Sequence, residues 1–203
     1  MATDRLIITR RGFGIGLVGG AASLALPFPA VALTVEQANA LVGKAIADVN
    51  ASINSGKPAS AMYDDFERIF ARYADVPVIA RSALGPAARS ASSAQLAAFT
   101  KAYQRYVSRK YGARFRDFIG GQIEVTGARA VKSYFEVISV AKLRGQAPFD
   151  LRWHVSDKSG KHLFFNLIIE GVNMLASERT EIGAMLDKRR GNIDALIADL
   201  KAT

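Results

Sequence analysis

A short segment near residue 150 alternates strictly between apolar and polar side chains, and this pattern limits the fold more than any other feature. Its apolar positions are Phe149, Leu151, Trp153 and Val155, and its polar positions are Asp150, Arg152, His154 and Ser156. Successive side chains of a strand point to opposite faces of a sheet. The segment therefore predicts a strand with one apolar and one solvated face, which is typical of antiparallel sheets.

The sequence on both sides of this strand predicts further strands, which together form an antiparallel meander. Period-two patterning and flanking turn residues predict four strands in all, over Gln122–Thr126, Ala130–Leu143, Phe149–Ser156 and His162–Glu170. The run Asp157–Lys161 has the composition of a hairpin turn between the last two strands. The sheet is therefore predicted to be built from strands that are neighbours in sequence.

Helical periodicity dominates the chain on both sides of these strands. It predicts helices over Leu33–Asn54, Ala59–Tyr73, Val76–Leu84, from Ser92 or Ser93 to about Phe118, Met174–Arg189 and Asn192–Lys201. Thr34 and Asp75 are the expected N-caps of the first and third helices. Helices, then a meander, then helices predict an α+β fold with one four-stranded antiparallel sheet packed against N-terminal and C-terminal helices.

The last predicted strand carries apolar residues on both of its faces. Phe164 and Ile168 alternate there with Phe165, Leu167 and Ile169. Two interpretations stay open at this point. Helices cover the sheet on both sides, or one face lines an apolar cavity that takes a hydrophobic ligand.

The N-terminal 32 residues have the pattern of an export signal. Arg10 and Arg11 precede Phe13, as in twin-arginine signals, and an uncharged, glycine-rich run follows them. The run is short and weakly hydrophobic for a membrane span. Small residues at Ala30 and Ala32 fit signal peptidase, so we expect cleavage after Ala32 and a single mature domain, residues 33–203, in the periplasm. An ordinary Sec signal with two arginines is the alternative.

Composition narrows the chemistry of the mature chain. Without cysteine there are no disulfides, thiolate metal sites or cysteine nucleophiles, and there are only two histidines, His154 and His162. The formal charge falls from +9 to +7 on removal of the leader, which holds three arginines and one aspartate. Outside the cytoplasm this favours anionic lipid surfaces over nucleic acid. Catalytic and phosphate-binding motifs are missing from the sequence, so we expect a protein that is not an enzyme and has no cofactor or metal.

Five sequence segments resemble one family. They are DVPVIARSALG (Asp75–Gly85), QLAAFTKAYQRYVSRKYGARF (Gln95–Phe115), GGQIEV (Gly120–Val125), NLIIEGVNMLASERTEI (Asn166–Ile182) and GNIDALIADL (Gly191–Leu200). In this order and spacing they resemble the MlaC family of periplasmic lipid-binding proteins, also called the toluene-tolerance auxiliary family. The resemblance spans nearly all of the mature chain.

Several positions depart from the family pattern. Asn166 stands at a usual aspartate, Asn173 at a usual serine and Ile182 at a usual phenylalanine. The family tryptophan after Leu84-Gly85 is missing, and His162-Leu163 replaces an aromatic residue and a lysine. One branch of the family, HpnM, is associated with hopanoid lipids. These departures leave open whether the cargo is a phospholipid or a hopanoid-type lipid.

The resemblance implies a carrier that holds acyl chains in an apolar cavity between the helices and a curved sheet, with a basic rim. It also implies the partners, an inner-membrane ABC transporter complex and an outer-membrane lipoprotein complex. The alternative is a binding module without cargo that docks on a membrane complex through its basic face.

Under the carrier hypothesis, aromatic and aliphatic residues of the predicted elements are the candidates for the cavity lining. They are Phe66, Phe70, Tyr73, Phe99, Tyr103, Tyr106, Leu151, Trp153, Phe165, Leu167 and Ile169. For each of them, an ordinary place in the core is the alternative. Arg81 and Arg179 stand at family-matched positions and are the head-group candidates, with structural ion pairs as the alternative. Lys110 and the carboxylates Asp64, Asp65 and Glu67 are expected on solvated helix faces.

Overall fold

The structure, a computed structural model, describes residues 33–112 and 118–203 of the chain. These residues form six α-helices, one 3₁₀ helix and one five-stranded antiparallel sheet, which confirms the predicted α+β class. The predicted leader, with Arg10, Arg11, Phe13 and the cleavage site at Ala32, lies outside the described residues. The same is true of residues 113–117 of the predicted fourth helix.

The helices follow the predicted periodicity closely. They are α1 (Val35–Ile53), α2 (Ala59–Tyr73), α3 (Val76–Leu84), the 3₁₀ helix (Gly85–Arg89), α4 (Ser93–Gly112), α5 (Met174–Lys188) and α6 (Ile193–Ala202). The predicted N-caps are present. The Thr34 hydroxyl accepts from the Gln37 amide at 3.2 Å, and the Asp75 carboxylate accepts from the Val78 amide at 3.3 Å. Within the described residues, no helix is long and apolar enough to cross a bilayer.

The sheet differs from the prediction at two places. Its strands, in spatial order, are β1 (Gln122–Val131), β2 (Tyr134–Lys142), β3 (Phe149–Ser156), β4 (Leu163–Ile169) and the two-residue β5 (Val172–Asn173). The predicted strand Ala130–Leu143 was wrong, because the chain reverses at Lys132, whose φ is +43°. Val131 pairs with Tyr134 across this tight turn. The fifth strand was missed because its two residues are too few to show any period.

Helix α1 packs across the apolar face of the sheet. Val42, Ile46 and Val49 form one buried cluster with residues of β2 and β3, among them Val137, Leu151, Trp153 and Val155. The predicted alternation of β3 is confirmed, since Leu151, Trp153 and Val155 are buried and the residues between them are not. We call this cluster the sheet core.

The remaining helices bury a second apolar cluster. Phe99 and Tyr103 of α4, Ile182 of α5, and Leu196 and Leu200 of α6 are its largest fully buried members. We call this cluster the helical core. The two cores meet at Phe164 of β4, which packs against both. The Asp75 amide also donates to the Phe164 carbonyl at 2.8 Å and so fixes the start of α3 to this strand.

Asp65 is buried in the structure, so the expectation of a solvated carboxylate was wrong for this residue. It lies between α1 and α2, where its carboxylate accepts from the Ser52 hydroxyl at 3.1 Å, from the Lys57 ammonium at 2.8 Å and from the Arg68 guanidinium. The hydrogen bond from Lys57 is the main reason that the pKa of Asp65 lies below its usual value. Asp65 therefore acts in the packing of the two helices.

Candidate functional site

A cavity of about 200 Å³ lies between the sheet core and the helical core. Val49, Phe66 and Trp153 of the sheet core form part of its wall, and Ile79, Tyr103 and Val107 of the helical core form the opposite part. Almost all of the exposed wall is carbon. We call it the inner cavity. An apolar cavity of about 150 Å³ already takes up small hydrocarbons, so this one suits an apolar group of moderate size.

A wider cavity of about 730 Å³ adjoins the inner one. Six of the described residues line both cavities: Val49, Tyr111, Trp153, Leu167, Ile169 and Met174. This outer cavity adds residues from the ends of strands, including Leu143, Phe149 and Val172, and it carries more polar groups than the inner one. Its size is in the usual range for ligand sites.

Eight of the eleven predicted lining residues border these two cavities. Phe66, Phe70, Tyr103 and Phe165 line the inner cavity, Leu151 lines the outer one, and Trp153, Leu167 and Ile169 line both. The strands β3 and β4 supply five of these eight, because Trp153 and Leu167 are directly paired neighbours and so are Leu151 and Ile169. That any of these residues contacts a ligand stays a prediction.

The other three predicted residues line neither cavity. Phe99 is fully buried in the helical core and stacks on Tyr103, with ring centroids 5.6 Å apart. The hydroxyl of Tyr73 donates to Asp48 at 2.7 Å, and that of Tyr106 donates to Glu181. Helical periodicity identified the buried face of each helix. The periodicity does not distinguish buried side chains that border a cavity from those that pack only against other side chains.

A β-bulge changes the facing of the phenylalanine pair in β4. Val155 pairs with Phe164, while His154 pairs with Asn166, so Phe165 is the extra residue. The Phe164 ring contacts Trp153 at 5.3 Å, edge to face, and Phe70 at 6.2 Å. The Phe165 ring contacts Tyr134 and His154, at 5.7 and 5.8 Å. The prediction placed Phe164 on the other face of the strand from Leu167 and Ile169, and it was wrong at this point. Phe164 lines the inner cavity together with them, which the sequence did not indicate.

A polar cluster lies where the two cavities meet, on the α4–α5 side. The Lys110 ammonium donates to Glu178 at 2.7 Å and to Glu181 at 2.5 Å. Tyr111 donates to Glu178 at 2.5 Å, Tyr103 is 3.5 Å from the same carboxylate, and Tyr106 donates to Glu181. Glu178 and Tyr103 line the inner cavity, Lys110 and Glu181 the outer one, and Tyr111 both. We call these six residues the waist cluster.

Ionisation in the waist cluster is set by burial and by these contacts. Burial would raise the pKa of Glu181, but hydrogen bonds from Lys110 and Tyr106 outweigh it and hold the pKa below the usual value. Burial raises the pKa of Tyr103 and Tyr106, and the adjacent carboxylates raise both further. Glu181 is therefore a carboxylate at neutral pH, and both phenols are hydrogen-bond donors.

Sequence reasoning missed the role of Lys110 and Glu178. Lys110 was expected on a solvated face, yet its side chain is only 25% exposed and lines the outer cavity. Glu178 is 3% exposed. The available signal was the spacing of Glu178 and Glu181, which places both carboxylates on one face of α5. Nothing in the sequence indicated that this face meets Lys110 of α4.

Asn166 connects β4 to the start of α5. Its side-chain oxygen accepts from the amides of Leu167 at 2.9 Å and Leu175 at 3.2 Å, and its side-chain nitrogen lies 3.4 Å from His154 Nδ1. His154 also lies 3.6 Å from the buried carboxylate of Glu136. Within the described residues, no three His, Asp or Glu side chains are placed to hold a metal ion. The two amide contacts of the Asn166 side-chain oxygen hold the start of α5 against β4, on the wall of the inner cavity.

The two head-group candidates lie away from both cavities. Arg179 is exposed, and its Nε donates to the Ser82 carbonyl at 2.8 Å, which joins α5 to the last turn of α3. Arg81 is exposed on α3 and lines neither cavity. The expected basic rim is also not found on the described wall of the outer cavity, whose charged residues are Lys110, Glu170 and Glu181.

Comparison with known proteins places this geometry in context. A family model described as MlaC protein matches residues 40–202. A solved structure of a phospholipid-binding protein from Ralstonia solanacearum, in complex with a phospholipid, has a similar fold with a TM-score of 0.69. The two sequences are 19% identical, and the alignment covers 81% of this chain and 95% of that chain.

Proposed function

The chain belongs to the MlaC family, and from this premise we propose that it is a carrier that binds lipid acyl chains in the joined inner and outer cavities. The observation that carries the proposal is the pair of adjoining cavities with six shared wall residues and an inner end made almost entirely of carbon. The inner end accepts apolar chains and offers a polar group almost no partners. That the similar Ralstonia protein was solved with a phospholipid supports the same class of cargo.

The free energy of burying acyl chains is large enough to account for lipid binding. Burial of one CH₂ group contributes about 0.8 kcal/mol, so ten buried methylenes contribute about 8 kcal/mol. Association costs roughly 4–15 kcal/mol in lost freedom of motion. A single partly buried chain therefore binds weakly, and stable binding needs deep insertion or a second chain. The outer cavity, at about 730 Å³, has room for that additional apolar volume.

Carriage between membranes is the wider part of the proposal. We propose that residues 1–32 direct export to the periplasm and are removed after Ala32, and that the mature protein shuttles lipid between the inner and outer membranes. The proposed partners are an inner-membrane ABC transporter complex and an outer-membrane lipoprotein complex. N-terminal sequencing of the protein from the periplasm of its host tests the first step, and an N-terminus other than Leu33 contradicts the proposed cleavage.

Lipid binding is tested by organic extraction of the purified protein and mass spectrometry. The informative variant is Val49→Trp. Val49 lines both cavities, so the larger indole side chain would fill the space where the two cavities meet. The matched control is Val78→Trp, at a position that is 41% exposed. We expect near-stoichiometric lipid from the wild type and the control, and a loss of at least about fivefold in the cavity variant. Recovery of no lipid from the wild type overturns the proposal and favours the cargo-free docking module.

A further inference from the structure

Helix α1 passes along both cavities and contributes wall residues at two depths. Val49 lines the inner and the outer cavity, and Ala45, four residues before it on the same face of α1, lines the inner cavity. Four residues of an α-helix rise about 6 Å. Ala45 is therefore about one helical turn from the junction of the cavities, on its inner side.

The inner end of the cavity is bounded by packed side chains. Its wall there includes Ala45 of α1, Phe66 of α2, Ile79 of α3, and Tyr103 and Val107 of α4. All five residues are buried, and the last four are members of the sheet core or the helical core. Side chains in a close-packed core have little freedom to move apart. The inner cavity therefore keeps a nearly constant volume, about 200 Å³, whatever chain enters it.

Ala45 has the smallest side chain among the described residues of the inner wall. It is 1% exposed, yet it is a member of neither core. Because Ala45 borders the cavity, a longer side chain at this position would extend into the cavity space. The residue at position 45 therefore determines how much of the inner end is open to a ligand.

The inner cavity has room for only part of an acyl chain. A cavity of about 150 Å³ holds benzene, so one of about 200 Å³ holds roughly six to eight carbons of a chain. A bilayer shields every methylene of a lipid from water. A methylene that finds no place in the protein is left in water, which lowers transfer from the bilayer to the protein by roughly fourfold. Lipids are thus taken up equally well to a limiting chain length, and less well beyond it.

We propose that the inner cavity selects cargo by acyl-chain length, and that Ala45 and Ile79 set the longest chain that the protein takes up efficiently. This inference rests on the proposed lipid binding and adds a specificity to it. The inner cavity holds the end of a chain, and the outer cavity holds the part nearer the head group. Because the inner wall is almost entirely carbon, the selection acts on the size of the chain and not on its polarity.

The test uses vesicles that contain, in equal amounts, phosphatidylglycerols with two identical monounsaturated chains of about 14 to 22 carbons. The full chain is incubated with the vesicles and re-isolated, and the bound lipids are quantified by mass spectrometry. For the wild type we expect a level ratio of bound lipid to vesicle lipid up to a limiting length. Beyond it, the ratio should fall by at least about fourfold for each further pair of carbons.

Two substitutions on the inner wall should move the limiting length in opposite directions. Ala45→Leu places roughly three further carbons in the cavity and should shorten the limiting length by about two carbons. Ile79→Ala removes roughly three carbons from the wall and should lengthen it by about two. Both substitutions are expected to lower stability, so a general loss of stability would not produce shifts of opposite sign.

Ala47→Leu is the matched control, because it makes the same substitution at an exposed position of α1. It should keep the limiting length of the wild type. Thermal melting shows which variants are folded, and Ala45→Val, with fewer added carbons, replaces Ala45→Leu if the latter is not. The absence of a limiting length in the wild type, or the same limiting length in both inner-wall variants and the control, overturns the inference and leaves lipid binding intact. Recovery of no lipid from the wild type overturns both.

Discussion

The indole N–H of Trp153 donates a hydrogen bond to the Ser139 hydroxyl at 3.0 Å, across the β2–β3 pair on the cavity side of the sheet. Ser139 is fully buried and Trp153 is 7% exposed. The hydroxyl is thus the polar partner that lets a tryptophan stand in an otherwise apolar wall. It also fixes the orientation of a ring that borders both cavities.

Removal of that partner should destabilise the protein. Ser139→Ala leaves the buried indole N–H without an acceptor, and we expect the free energy of unfolding to fall by about 1–3 kcal/mol. Urea denaturation measures the change. The matched control is Ser133→Ala, at an exposed position in the β1–β2 turn, where we expect a change within about 0.5 kcal/mol. Equal effects of the two substitutions would contradict the role of the hydrogen bond.

We expect His154 to make the free energy of unfolding depend on pH, in a pH range above the one in which carboxylates titrate. Burial lowers its pKa below the usual value near 6.5, and the Glu136 carboxylate at 3.6 Å only partly opposes this. The folded protein therefore binds the proton more weakly than the unfolded chain does. The stability contributed by neutral His154 is present above about pH 6.5 and is lost as pH falls from there through the folded pKa.

Unfolding at pH 7.5 and pH 5.5 tests this dependence. The wild type should be less stable at pH 5.5, with a slope from this one proton of at most about 1.4 kcal/mol per pH unit. His154→Gln should show a smaller loss between the two pH values. The control His162→Gln replaces the other histidine and should keep the wild-type loss. An unchanged pH profile in His154→Gln would exclude His154 as its source.

Gly121 is required by close packing at the start of β1. A Cβ atom at this position would lie 2.7 Å from a methyl carbon of Leu143 and 2.9 and 3.0 Å from the carbonyl oxygens of Lys142 and Phe118. Backbone oxygens cannot move aside as a flexible side chain does, so Gly121→Ala should cost about 1–3 kcal/mol in unfolding free energy. Gly127 lies within β1, and a Cβ at this position has no atom within 4 Å, so Gly127→Ala should be neutral or stabilising by up to about 1 kcal/mol. Guanidinium melts of the two variants should separate clearly, and similar midpoints would refute the packing argument.

The parts of the fold that follow from local rules could be predicted from the sequence. Helices α2 and α3 and strand β3 have the predicted bounds, because caps, prolines and period are encoded within each segment. The reversal at Lys132 could not be predicted, since a lysine with φ of +43° leaves no glycine or asparagine signal. The bulge at Phe165 also leaves no signal in the sequence, because an extra residue in β4 is defined only by how β4 pairs with β3.

The candidate site divides in the same way. Trp153, Leu167 and Ile169 were identified because strand alternation gives their facing directly. The waist cluster was missed because it depends on how α4 packs against α5, which brings Lys110 to residues 68 and 71 positions away in sequence. A charged residue on an amphipathic helix is normally solvated, so its sequence context pointed to the wrong environment.

Trp153 offers a direct measurement of where the cargo lies. It is the only tryptophan of the chain and it borders both cavities, so its fluorescence reports on the junction alone. Loading with phosphatidylethanolamine whose acyl chains carry bromine atoms should quench the emission by more than half, because bromine quenches only on close approach. The same lipid without bromine is the control and should leave the intensity nearly unchanged. Bound brominated lipid, detected by mass spectrometry, that leaves Trp153 emission unquenched would mean that the chains occupy some other part of the protein.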